Sequence, residues 1–151
     1  MTGMGEMGNG NTVPAYPPDI VYPHYLINGQ TSDQPLQLQV RKGQRVRVRL
    51  INAASATIFH VALQGHQLTV THTDGQPVTP VTVDALRIGM GERYDMLIDA
   101  DHPGTWQFAA QAEGTRQLAR AVLRYAGASG PSPSPTFLPP NSPGATYAMS
   151  N

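Results

Sequence analysis

The sequence predicts an all-β chain folded as a Greek-key β-sandwich or barrel of roughly seven to nine short strands. Three observations carry that prediction. Apolar residues alternate with polar ones at period two through the middle of the chain, as half-buried strands require. Turn signals separate the alternating runs at short intervals, and no segment carries a helical period. The composition agrees, with 15 Gly, 14 Pro and only 13% charged residues.

The elements follow in order. Leu36, Leu38 and Val40 alternate with Gln37 and Gln39, and after Lys42-Gly43, Val46, Val48 and Leu50 alternate with Arg45, Arg47 and Arg49. Phe59, Val61 and Leu63 form one face of the next run. Gln64-Gly65 reads as a two-residue hairpin turn, with Leu68 and Val70 continuing beyond it. Asp74-Gly75 closes that run, and Val81 and Val83 mark another. Beyond Gly89-Met90-Gly91, Tyr94, Met96 and Ile98 share a face. His102-Pro103-Gly104 then precedes Trp106 and Phe108, and Ala121, Leu123 and Tyr125 complete the pattern. An early turn is expected at Asn28-Gly29. There is no internal repeat.

Outside this unit the composition changes. Residues 1–22 are rich in Met, Gly, Asn and Pro without a period and read as a linker. Residues 127–151 are rich in Pro and Ser and read as a second one. One folded domain is therefore expected over 23–126, a length that supports a core without covalent staples.

Charge and composition exclude several functions. Ten Lys+Arg balance ten Asp+Glu, which leaves no electrostatic basis for nucleic-acid or acidic-membrane binding. No apolar run approaches the ~20 residues of a membrane span. Residues 1–20 lack a basic start followed by an apolar stretch, so they do not read as a signal peptide. With no cysteine, disulfides and thiolate chemistry are excluded.

Histidines are the natural candidates for metal ligands. His60, His66 and His72 are evenly spaced, but strand geometry argues against a shared ion. A hairpin at Gln64-Gly65 pairs Leu63 with His66 and Val61 with Leu68, so His60 faces away from His66. Six residues of strand would then separate His66 from His72 by about 20 Å. Ligands of one zinc ion each lie ~2 Å from it. No metal site is expected in the core, although one built from distant loops with His24 or His102 stays open. Met1, Met4 and Met7 are the other candidates, since soft thioethers suit Cu(I).

Other candidate constellations have structural readings. Arg41, Lys42, Arg45, Arg47 and Arg49 lack the interleaved aromatics of a single-strand-binding face. They read as a solvated strand face, or one that meets carboxylates of a neighbouring domain. Among the carboxylates Asp84, Glu92, Asp95, Asp99 and Asp101, an ion pair that fixes a turn is expected around Glu92-Arg93-Tyr94-Asp95. Ser55 lacks the Gly-x-Ser-x-Gly elbow of a hydrolase, and Gly89-x-Gly91 does not open a helix.

Several stretches together resemble a known family. Tyr22-Pro23-His24-Tyr25-Leu26-Ile27-Asn28-Gly29 resembles the start of the second cupredoxin domain of three-domain multicopper oxidases. Arg45-Val46-Arg47-Val48-Arg49-Leu50-Ile51-Asn52-Ala53 resembles that domain's R-x-R-x-I-N strand. His60-Val61-Ala62-Leu63-Gln64-Gly65-His66 and Thr71-His72-Thr73-Asp74-Gly75 are similar to its central hairpin. Val83-Asp84-Ala85-Leu86 followed by Gly91-Glu92-Arg93-Tyr94-Asp95 is similar to its V-D-x-L … G-E-R-x-D signature. The Met-rich lead and the His72-Thr73-Asp74-Gly75 variant resemble the bacterial copper-resistance, laccase-like branch.

The resemblance implies a cupredoxin-like fold and a specific division of labour. In such oxidases the first and third domains hold the copper through His-x-His pairs and a His-Cys-His segment, while the middle domain is a spacer. This sequence has neither signature. No catalytic or cofactor-binding residue is carried over: the chain would hold no copper site in its core, the parent would hold copper, and the isolated chain would not be an enzyme. The parent would oxidise Cu(I) or phenols, reduce O₂ to water, and reside in the periplasm, at the cell envelope or outside the cell. Its partners would be the flanking cupredoxin domains, and the isolated chain would be open to homo-oligomerisation. In this signature Arg93 and Asp95 would pair across an edge and set register.

The alternative is an independent β-sandwich binding module for carbohydrate or protein. Such a module calls for clustered exposed aromatics, whereas Trp106 is the only Trp and alternates in phase with Phe108 as a core residue. A single-domain blue copper carrier fails for want of a cysteine.

Overall fold

The computed structural model describes residues 22–130, 133 and 137–140. Among the described residues, nine strands run in order: β1 (Leu36–Val40), β2 (Arg45–Ile51), β3 (Phe59–Leu63), β4 (Leu68–Thr73), β5 (Gln76–Val83), β6 (Leu86–Ile88), β7 (Arg93–Asp99), β8 (Thr105–Ala112) and β9 (Leu118–Tyr125). They form a five-stranded sheet, β1-β9-β8-β3-β6, and a four-stranded sheet, β2-β7-β4-β5. Only β1 and β9 pair in parallel. Among the described residues there is no helix. The alternation expected from the sequence is the alternation that builds the core. Val61, Leu63, Phe108 and Leu123 from one sheet bury in the same cluster as Leu68, Val70, Met96 and Ile98 from the other.

Two of the expected turns have the backbone that their residues favour. Asn28 and Gly29 take φ of 49° and 78° between the paired residues Ile27 and Gln30. Asp74 and Gly75 take 48° and 84° between β4 and β5. Two consecutive left-handed residues form the tight turn that matches the twist of a hairpin, which is why Asn-Gly and Asp-Gly occupy it.

Gln64-Gly65 behaves differently, and here the expected hairpin is not formed. β3 pairs with β8 and β6, whereas β4 pairs with β7 and β5 in the other sheet. The chain does turn there, with Gly65 at φ 71° and the His66 N–H donating to the Leu63 carbonyl at 3.2 Å. However, the turn carries it across the sandwich instead of back along β3. Leu63 and Leu68 then enter one core from opposite sheets. His66 consequently lies outside β4 and is not in phase with His72 along a strand. β4 also contains a register shift between Val70 and His72.

Arg93 and Asp95 lie on β7, an interior strand, and each pairs with a different neighbour. The Arg93 guanidinium is 3.5 Å from Asp74 while the Arg93 backbone N–H donates to the same carboxylate at 2.9 Å; Asp95 lies 3.5 Å from Arg49. Arg45 grips Asp99 through two bonds of 2.6 and 3.2 Å. Two arginines of the β2 stripe thus meet carboxylates of β7 in the same chain.

The outer face of the five-stranded sheet is covered over its central strands, β8 and β9. Gln107, Ala109 and Val122 have no exposed surface. The Gln107 side chain donates to the Phe137 carbonyl at 3.1 Å and accepts from Arg120 at 3.0 Å. Arg120 also reaches the Ser32 carbonyl at 3.0 Å. The loop at Ser32 and the residues near Phe137 therefore lie across this sheet. Met1, Met4 and Met7, and most of the Pro/Ser-rich stretch, fall outside the described residues.

Candidate functional site

Two features stand out as places where this fold could bind something. The first lies where the loop after β3 meets the loop after β7. Its scaffold is Trp106, whose ring packs so closely on Gly65 that a Cβ there would sit 2.9 Å from ring carbons. On Gly104 the corresponding distance is 3.2 Å. The indole N–H donates to the His102 carbonyl at 2.7 Å, so one side chain ties both loops together.

A directed hydrogen-bond chain runs through this junction. The Gln64 carbonyl can only accept, so His66 Nδ1, 3.0 Å away, carries the proton and donates. His66 Nε2, on the other side of the ring, lies 2.6 Å from the Tyr125 hydroxyl, and the His102 backbone N–H donates to the same hydroxyl at 3.3 Å. Burial pushes the Tyr125 phenol above its ordinary range; the His102 bond opposes the shift and the nearby Asp101 charge adds to it. The His102 ring stands edge-on to that of His66, with centroids 5.7 Å apart, and its Nδ1 lies 2.7 Å from an Asp101 oxygen. One ligand atom from each of His66, Asp101 and His102 lies within 4.8 Å of the other two.

The remaining histidines are elsewhere. His60 Nε2 lies 2.9 Å from Glu113, which also takes two bonds from Arg87 at 2.6 and 3.0 Å. These bonds hold the Glu113 carboxyl below its usual range, Arg87 contributing most, with burial opposing and His60 assisting. His72 Nδ1 lies 3.0 Å from the Thr71 hydroxyl, and His24 is exposed. From the sequence, His24 and His102 were the loop positions open as partners for the other histidines, and the structure brings His102 to His66. In the sequence Asp101 counts only among the carboxylates, and Trp106 and Tyr125 read only as parts of the alternating core pattern; these two reach the junction from β8 and β9 and share no local pattern with His66.

The second feature is an apolar cleft of about 1030 Å³ between the edges of the two sheets. β1 and β2 form its lips, and Val46, Val48, Leu50, Phe59 and Leu123 lie along its walls. Leu26, Leu38 and Ile51 line it as well, and they are three of the five large apolar side chains exposed among the described residues. The buried Tyr25 hydroxyl and Thr57 Oγ1 also belong to cleft residues, and neither has a hydrogen-bond partner among the described residues.

The two facing sheets and their strand order define a cupredoxin-like domain. A profile of the family described as "Multicopper oxidase" matches residues 7–128. The chain belongs to the multicopper oxidase family. It is 49% identical over 140 residues to the multicopper oxidase MmcO of Mycobacterium tuberculosis, covering 91% of this chain and 27% of that protein. Copper resistance protein A of Escherichia coli is 36% identical over 91 residues, covering 60% of this chain and 15% of its own length. Among solved structures, the multicopper oxidase mgLAC superposes with a TM-score of 0.65 at 30% identity, over 74% of this chain and 37% of that one. The chain thus spans about a quarter or less of these two curated relatives.

A blue copper centre takes a cysteine thiolate beside two imidazoles. The chain has no cysteine, and its five histidines include no His-x-His pair. The residues present do not furnish that centre.

Proposed function

We propose that this chain is the middle domain of a three-domain multicopper oxidase, a spacer between two copper-bearing cupredoxin domains. The observation that carries this reading is the combination of 91% coverage of this chain with 27% coverage of MmcO, in a sequence lacking both cysteine and His-x-His. The folded unit is residues 23–126, and the parent oxidises Cu(I) or phenolic substrates with reduction of O₂ to water. By likeness to copper-resistance and laccase relatives, the parent works in the periplasm, at the cell envelope or outside the cell. The β1/β2 cleft is the face that a flanking cupredoxin domain of the same polypeptide covers. Its exposed Leu26, Leu38 and Ile51 support that assignment, because an apolar surface of this kind marks an interaction site.

The test compares this chain with the longer natural protein, both loaded with copper, by O₂ consumption with Cu(I) and with a phenol. Turnover is expected from the long protein alone. Oxygen consumption by the isolated chain at the rate of the long protein would overturn the spacer reading.

A further inference from the structure

We propose that His66, His102 and Asp101 form a binding site for one divalent late first-row metal ion. The proposal goes beyond the spacer reading and does not depend on it. Two imidazoles and a carboxylate are a borderline donor set, suited to ions such as Cu(II) and Zn(II). Their ligand atoms already lie within 4.8 Å of one another, although they come from the loops after β3 and β7. Ligands at 2.0–2.1 Å in a tetrahedral shell are about 3.4 Å apart, so the cluster must close by up to ~1.4 Å.

The side chains that would move are exposed, and Nδ1 of His102 lies 2.7 Å from Asp101. His102 and Asp101 are 61% and 66% exposed, and both sit on a loop whose backbone is anchored by Trp106. His66 is the fixed member. Its Nδ1–H bond to the Gln64 carbonyl sets the tautomer and turns the Nε2 lone pair towards the junction, as the outer hydrogen bond of a metal-bound histidine does. The ion would take the place of the Tyr125 hydroxyl, which now lies 2.6 Å from Nε2. Asp84 and Asp99 line the same depression and add negative charge, although Asp99 is shared with Arg45 and Asp84 accepts from Gln67.

Trp106 supplies a reporter. It is the only tryptophan, and its ring centroid lies 5.8 Å from that of His66. The experiment titrates the full chain with Cu(II), following Trp106 emission and the EPR spectrum. Three variants are compared: His102→Gln, His66→Gln and Met4→Leu/Met7→Leu. The expected result is quenching that saturates at one equivalent, with imidazole nitrogen hyperfine structure. His102→Gln should weaken binding at least about tenfold and Met4→Leu/Met7→Leu should leave it unchanged. His102 is exposed, so its variant keeps the test valid even if His66→Gln perturbs the fold. Unquenched emission at one equivalent, equal affinity in His102→Gln and the unsubstituted 151-residue chain, or quenching that disappears with the methionines would each overturn the proposal.

Discussion

At the scale of single residues, Gly65 shows how backbone and packing demands combine. It takes φ 71°, and a methyl group there would meet the Trp106 ring at 2.9 Å. Gly75 takes a similar φ of 84°, with no atom within 4 Å of the place a methyl group would take. Gly75→Ala therefore suffers only the left-handed backbone penalty, about 1 kcal/mol. Gly65→Ala suffers that penalty and must also displace a ring held by its hydrogen bond to His102, for a total of roughly 2–3 kcal/mol. Urea denaturation of the two variants checks the difference, and equal losses would show that Trp106 yields at no cost. A shift in Trp106 emission should accompany the Gly65 change alone.

At the scale of elements, the Glu113 cluster ties β3, β6 and the end of β8 together through His60 and Arg87. Glu113 is held below its ordinary range in the folded chain, so its contribution to stability is present above the unfolded value of about 4.3. That contribution is lost as pH falls through the lower folded value. Asp99, held down by Arg45, acts in the same direction. The Glu113 side chain is 40% exposed, so solvent screening keeps its share to about 1 kcal/mol or less. Glu113→Gln should destabilise the chain more at pH 7 than at pH 3, as measured by urea midpoints. A gap of the same size at both pH values would refute the linkage.

The elements also show what was legible in the sequence. Asn28-Gly29 and Asp74-Gly75 announced their turns because two left-handed residues leave little choice of geometry. Gln64-Gly65 announced a turn too, but not its outcome. Which strands pair after a turn depends on where Leu63 and Leu68 find core partners, and those lie far away in sequence. The His66 site was illegible for the same reason: once β3 and β4 separate into different sheets, His66 meets His102 and Tyr125 instead of facing along a strand. The covered outer face was equally hidden. Ala109 and Val122 sit opposite the core in phase, and only the fold brings Ser32 and Phe137 to that side.

At the scale of the whole molecule, the sandwich is closed along its middle and open between β1 and β2. Val46, Val48 and Leu50 keep the inward alternation of a core strand yet remain partly exposed, because the cleft lies in front of them. Ile51, at the end of β2, is 63% exposed. A domain that functioned alone would gain from filling this space, at about 25 cal/mol for each Å² of apolar surface removed from water. The open cleft fits the proposed flanking domain, and that proposal makes a prediction that separates the isolated chain from the longer protein. While natively folded, the isolated chain should enhance the emission of an apolar-surface dye such as ANS. Leu38→Gln/Ile51→Lys should reduce that signal severalfold while lowering the stability measured in urea by no more than about 2 kcal/mol, since Ile51 is 63% and Leu38 37% exposed. In the long protein the same pair of substitutions should instead loosen domain packing, read as faster proteolysis between domains. Dye binding that is absent from the isolated chain, or indifferent to Leu38 and Ile51, would mean that the cleft is not the covered face.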